Sequence, residues 1–186
     1  VSGCAGTTAP HQPDCGHCNA SGPIENAAGV PFSTHRRQDQ PWVQCSSDAN
    51  CLSAGATGPC VFFFGSPLPL VAGGVATCVL NRISGPVTGT INIDDGSSVI
   101  SVPLASGAHI GGGDFNPCPQ CNAGLCADGP RIGKACSVMG TSIQYGNVSL
   151  DCPPNPGSNV GTLGITLTIA TGTHITTLSP STPTCH

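Results

Sequence analysis

The chain has 186 residues, with five Lys or Arg and nine Asp or Glu, and a formal net charge of −4. Charged residues make up 8% of the chain, whereas about 25% is usual in a soluble domain. So few basic residues exclude the electrostatic footprint of a nucleic-acid-binding protein. A hydrophobic fraction of 38% excludes the disordered class, in which hydrophobicity is low and net charge is high.

Cysteine is unusually frequent, at 13 residues. Disulfides persist in oxidising compartments, so this content predicts an extracellular or cell-surface protein; zinc-bound cysteines are the alternative. Because 13 is odd, at least one cysteine is unpaired or joined to another chain, and the chain ends make Cys4 and Cys185 the candidates. The candidate disulfide cysteines are Cys4, Cys15, Cys18, Cys45, Cys51, Cys60, Cys78, Cys118, Cys121, Cys126, Cys136, Cys152 and Cys185.

The first part of the chain, residues 1–60, has little apolar periodicity and many turn-forming residues, which predicts an irregular, cysteine-rich arm. A β-rich region, residues 61–186, follows. The 26 glycines and 18 prolines are spaced closely and leave little room for helices. The apolar run 61–64 predicts a strand buried on both faces, and residues 75–80 predict a second strand that contains Cys78.

Residues 90–104 form the clearest hairpin pattern. Ile91 and Ile93 alternate with polar neighbours, and apolar residues alternate again after the turn residues 94–97. An Asp-Gly pair between alternating runs predicts a tight turn, because glycine accepts a positive φ. A Ca²⁺ site at Asp94 and Asp95 is the alternative, and the absence of a third acidic residue nearby in the sequence favours the turn.

Residues 118–152 carry five more cysteines, and residues 162–170 then alternate strictly between apolar and small residues. This alternation predicts a half-buried antiparallel strand. Together the patterns predict an all-β fold: a disulfide-rich, antiparallel β-sandwich-like unit with long irregular loops and little or no helix. A short similarity between residues 106–110 and 171–175 gives an alternative of two related β modules, about 61–115 and 116–186.

Motifs for chemistry are scarce. The Cys-x-x-Cys pairs Cys15/Cys18 and Cys118/Cys121 fit a zinc site or a redox site, but their many cysteine neighbours favour structural disulfides. Six scattered histidines leave a metal role as an alternative. The sequence has no nucleophile elbow, zinc-protease or phosphate-loop motif, and Glu25 is its one glutamate. We therefore predict no catalytic residue, no cofactor-binding residue, no metal ligand and no enzymatic activity.

The chain resembles cysteine-rich secreted bacterial proteins of unassigned function in the spacing of Cys118, Cys121 and Cys136. The resemblance includes residues 128–131, which lie between these cysteines, and residues 151–154, which follow them. The Thr/Ile-rich strand that follows is similar too. The resemblance covers the last hundred residues or so. It implies an exported, disulfide-bonded β protein, and it transfers no catalytic residue.

These observations predict a structural subunit of an extracellular self-assembling polymer, such as a filament, sheath or surface layer, held by β packing and disulfides. Its partners are copies of itself, with no nucleic acid. The alternative is a monomeric secreted binding module for a metal or a surface ligand. The sequence has no run of 18 apolar residues, so we predict no membrane span.

Overall fold

A computed structural model describes residues 17–22, 35–45, 58–112 and 116–172. The chain divides into two compact units. Among the described residues, the first unit contains 17–22, 87–102 and 168–172, and the second contains the rest.

Almost every described element is a β-strand. The strands are β1 (His17–Gly22), β2 (His35–Arg37), β3 (Cys60–Phe62), β4 (Leu68–Ala72), β5 (Val75–Ile83), β6 (Val87–Asn92), β7 (Ser98–Ile110), β8 (Cys121–Asn122), β9 (Leu125–Cys126), β10 (Gly140–Ser142), β11 (Gly146–Val148) and β12 (Asn159–Ala170). The described residues include one short 3₁₀ turn, Pro156–Ser158, and no α-helix. The prediction of a disulfide-rich, antiparallel all-β fold is confirmed.

The first unit is built on the predicted hairpin. Strands β6 and β7 pair antiparallel from Thr88↔Ser101 to Ile91↔Ser98, and β1 pairs with the other edge of β6. At the turn, the Asn92 N–H donates to the Ser97 carbonyl at 2.7 Å. Gly96 has a φ of 71°, the left-handed conformation for which the Asp-Gly signal selects. The hairpin and its turn are therefore confirmed, and β7 continues beyond the predicted end at residue 104.

The second unit contains a sheet in the order β4–β5–β7–β12. Strand β5 pairs with β4 on one side and with the later residues of β7 on the other. Successive side chains of a strand point to opposite faces. Ala76 and Cys78 are 5% and 0% exposed, whereas Thr77 and Val79 between and after them are partly exposed. The two faces of this sheet are therefore different environments.

One face, which we call the covered face, packs against the cysteine-rich segment, residues 116–158. A disulfide joins Cys78 of β5 to Cys118, and both cluster with the buried Val148. Within the segment, the buried cysteines 121, 126 and 152 form a second core cluster. Its disulfides are Cys121–Cys136 and Cys126–Cys152. Cross-links therefore replace much of the apolar core that such a segment would otherwise need.

A buried ion pair ties the β2–β3 ribbon to the cysteine-rich segment. The Arg36 guanidinium donates to Asp151 Oδ1 at 2.7 Å, with the two side chains 4% and 17% exposed. The other carboxylate oxygen of Asp151 accepts from the Ser137 N–H at 3.0 Å. Arg36 also donates to the Pro41 carbonyl at 3.0 Å. Because the partners are 115 residues apart in sequence, this contact exists only in the folded chain.

Two expectations about burial are wrong. The run 61–64 is not a strand buried on both faces, since β3 ends at residue 62, Phe63 is 4% exposed and Phe64 is 40% exposed. Strand β12 forms as predicted but is not half-buried, because Leu163 and Ile165 are 65% and 42% exposed. In both cases the pattern identified apolar residues correctly, but it carries no information on what lies against them.

Strands β1 and β2 fall within residues 1–60, where we predicted an irregular arm. Most of that arm lies outside the described residues, and the predicted boundary at 60/61 remains a prediction.

Replacing Asp151 with Asn should lower the free energy of unfolding by about 3 kcal/mol, because it removes the negative charge that the buried Arg36 guanidinium contacts at 2.7 Å. Urea unfolding under non-reducing conditions measures this change. Asp94→Asn is the matched control, since it removes a carboxylate from an exposed turn and should change stability by less than about 0.5 kcal/mol. Equal effects of the two substitutions would contradict the role given to the ion pair.

Candidate functional site

The second face of the β4–β5–β7–β12 sheet is apolar, with exposed side chains around a buried Leu104, and we call it the open face. It forms a shallow depression of about 360 Å³. Phe64 and Leu68 on it are 40% and 49% exposed. The aliphatic side chains that line it come from all four strands and are Leu68, Leu70, Val79, Leu104, Leu163 and Ile165.

The polar groups of the open face satisfy each other. The Ser106 hydroxyl donates to Asn81 Oδ1 at 2.6 Å in the middle of the face, and Ser106 is 6% exposed. No described residue that lines the face is charged. The face therefore offers a partner apolar contact without a charge to neutralise.

The two edges of this sheet differ in their capacity to pair. Strand β4 contains Pro69, which lacks an N–H and is typical of protected edges. Strand β12 pairs with β7 and contains neither proline nor a charged residue. Among the described residues, no strand pairs with the outer side of β12. Within the described part of the chain, the outer edge of β12 thus presents backbone donors and acceptors over a long, uncharged strand.

A second candidate site lies on the covered face, around His109. We call it the His109 cavity; its volume is about 290 Å³. Its polar lining comes from separate segments of the second unit, and its apolar lining includes Leu80 and Pro156. The polar side chains are those of Gln38, Arg82, His109, Asn159 and Thr162.

The two ring nitrogens of His109 have different partners. Nδ1 lies 3.2 Å from the Asn155 carbonyl oxygen, which can only accept, so Nδ1 carries the hydrogen. Nε2 lies 3.3 Å from Asn159 Nδ2 and accepts from that amide. Burial lowers the pKa of His109 below its ordinary 6.5, and the Asn155 carbonyl partly opposes that shift. His109 is therefore a neutral, polar wall of the cavity near neutral pH.

The Cys118/Cys121 pair does not bond to itself. Cys118 pairs with Cys78, and Cys121 pairs with Cys136, so this Cys-x-x-Cys has a structural role. The remaining described bridge in the second unit joins Cys45 to Cys60. Disulfide bonding is confirmed.

Two groups in the described part of the chain have metal-ligand spacing. One is His35 with Cys45 and Cys60, and the other is Cys121 with Cys136 and Cys152. Their cysteines are all in disulfides, and a metal ligand must be a thiolate. Either group would need reduction before it could bind zinc.

Several residues singled out from the sequence lie outside the described residues. They are four cysteines and three histidines: Cys4, Cys15, Cys51, Cys185, His11, His174 and His186. Cys4 and Cys185 are the two candidates for the unpaired cysteine, and Cys15 is the first member of the first Cys-x-x-Cys pair. Cys18 lies on β1. Gln38 and Arg82 were not among the site residues predicted from the sequence. Arg82 could have been noticed because the chain has only five Lys or Arg residues, so each one is a candidate for a specific structural or binding role.

The chain matches no protein-family model. Comparisons with curated proteins and with solved structures also found no match. Among the described residues, no helix is long and apolar enough to cross a membrane. The sites must therefore be interpreted from their own geometry.

Stability should fall as the pH is lowered from about 7.5 to about 5, in part because of His109. Its pKa is lowered in the folded chain, so the unfolded chain takes up the proton first and is favoured as the pH falls through 6.5 and below. In His109→Gln this contribution is absent, and the fall should be smaller. Denaturant unfolding at several pH values measures it, and parallel profiles for the two proteins would contradict the assignment.

Proposed function

We propose that the protein is a structural subunit of an extracellular assembly in which copies of the chain pack through their open faces. The observation that carries this proposal is the exposed aliphatic surface on one side of a sheet whose other side is covered. Burial of apolar surface contributes about 25 cal/mol per Å². A face of this kind is therefore a strong site for association.

A second copy of the chain suits the open face better than a charged partner would. The described lining residues carry no charge, and 8% of the whole chain is charged. A charged partner would lose hydration at this surface without gaining an ion pair. A copy of the same face brings the same aliphatic side chains and no charge, so the contact is self-complementary.

The open face is too small to form the whole interface between two copies, which indicates that a second contact contributes to that interface. Four strands about 4.8 Å apart, each presenting about 16 Å of its length, give a footprint of about 300 Å². A stable interface buries about 800 Å² per partner. We propose that backbone pairing at the outer edge of β12 supplies part of the difference, by extending the sheet into the next subunit.

The disulfides support the extracellular location in this proposal. Four bridges in the described residues are compatible with an extracellular protein, because such bonds persist in oxidising compartments. The form of the assembly, whether filament, sheath or surface layer, is part of the proposal. So is an intersubunit disulfide through Cys4 or Cys185.

The double variant Leu163→Lys/Ile165→Lys should weaken self-association at least about tenfold, because association would bury two ammonium groups against an uncharged surface. Analytical ultracentrifugation over a range of concentrations, with negative-stain microscopy, measures the change. The matched control is Ile132→Lys/Ile143→Lys. It makes the same chemical change at residues that are 66% and 107% exposed and lie in the cysteine-rich segment.

Association lost in the open-face variant and kept in the control supports the proposal. Equal loss in both variants would place the contact elsewhere. A wild-type protein that stays monomeric at high concentration would overturn the proposal and would indicate that another segment of the same chain covers the face.

A further inference from the structure

We propose that the His109 cavity binds a small hydroxylated carboxylate of the sugar-acid class, with Arg82 as the residue that pairs with the carboxylate. The cavity lies on the covered face, whereas the proposed assembly uses the open face and the outer edge of β12, whose residues Asn159 and Thr162 also line the cavity. Ligand titration tests the first proposal and the open-face variant tests the second, so failure of one is distinguishable from failure of the other.

Arg82 differs from the other arginines of the chain. Arg36 and Arg37 form ion pairs with Asp151 and Asp39 at 2.7 and 3.1 Å. Arg131 donates to the Asp151 carbonyl at 2.9 Å and lies over the Trp42 ring. Within the described part of the chain, the Arg82 guanidinium has no hydrogen bond or ion pair, although its side chain is half-buried.

The position of Arg82 follows from the register of the sheet. It pairs with Ala105 of β7, and it shares the covered face with Leu80 and Cys78, which lie two and four residues earlier on β5. Its side chain lines the His109 cavity. A guanidinium that is partly removed from water and has no counter-ion favours an anion, most of all a carboxylate that matches its two parallel donors.

The charge of the cavity fits one anionic group. Among the described residues that line the cavity, Arg82 alone carries a full charge, and none is Asp or Glu. His109 is neutral near neutral pH, because burial lowers its pKa and the hydrogen bond from Nδ1–H to the Asn155 carbonyl only partly opposes that shift. A monoanion therefore neutralises the site, and a second negative charge would have no partner.

The remaining polar groups fit hydroxyls. Among the described residues, the side chains of Gln38 and Thr162 line the cavity without a hydrogen-bond partner, and both can donate and accept. Leu80 and Pro156 add an apolar wall. With a volume of about 290 Å³, the cavity is at the lower limit for ligand pockets, about 300 Å³. This combination suits a single sugar ring that carries one carboxylate.

The chain provides its own reporter for binding. A neighbouring cavity of about 180 Å³ shares Gln38, Leu80, His109 and Pro156 with the first. It is also lined by Asp39, whose carboxylate pairs with Arg37, and by Trp42, the single tryptophan of the chain. Titration can therefore follow Trp42 fluorescence, with calorimetry as the independent measurement. The probes are D-glucuronate, its neutral amide D-glucuronamide, acetate and inorganic phosphate, all at matched ionic strength.

We expect saturable binding of glucuronate, and affinities at least about tenfold lower for the amide, acetate and phosphate, since each lacks either the carboxylate or the hydroxyls. Arg82→Gln should lower the glucuronate affinity at least about tenfold. Lys134→Gln is the matched control, because it removes an exposed cation outside the cavity, and it should bind as the wild type does.

Equal affinity for glucuronate and glucuronamide would overturn the proposal, and so would no binding of glucuronate. Acetate or phosphate binding as tightly as glucuronate would overturn the assignment to sugar acids. If Arg82→Gln does not fold, the comparison of glucuronate with its amide on the wild-type protein still decides the matter.

Discussion

The disulfide between Cys78 and Cys118 joins the middle of β5 to the cysteine-rich segment across a separation of 40 residues. Both cysteines are almost fully buried. By closing this loop, the bond reduces the entropy of the unfolded chain, and it fixes which face of the sheet the segment covers. The bridges Cys121–Cys136 and Cys126–Cys152 then hold a segment whose strands are only two or three residues long. Without these bonds, such short strands could not offset the entropy lost on folding.

Because the cysteine-rich segment covers one face of the sheet, the polar and apolar groups of the second unit are found in two different environments. Three of the four described arginines of the second unit are paired internally: Arg36 with Asp151, Arg37 with Asp39, and Arg131 with a carbonyl. Arg82 is the exception, and it lies in a cavity. On the open face, the aliphatic side chains of Leu68, Leu163 and Ile165 remain exposed among the described residues. Both proposals arise from this asymmetry, because each concerns a group that the rest of the unit leaves without a partner.

Sequence patterns predicted an element correctly where the interactions that form it join residues close together in the chain. The hairpin around residues 94–97 was predictable because its turn depends on Gly96 and on side chains within a few residues. Strand β12 was predictable from its alternation. The cysteine pairing was not predictable, because 13 cysteines allow very many connectivities and only distance in the fold selects among them. Arg82 was missed for a similar reason, since nothing near it in sequence marks the cavity.

By itself, the sequence determined the β class, the reliance on disulfides and the scarcity of charge, since composition and period-2 alternation act through neighbours along the chain. Only the tertiary structure decided which face is covered, that Leu163 and Ile165 are exposed, and that Asp151 neutralises a buried Arg36. These properties depend on segments far apart in the chain that meet only after folding. An alternating strand has the same pattern whether its apolar side meets a core, another subunit or solvent.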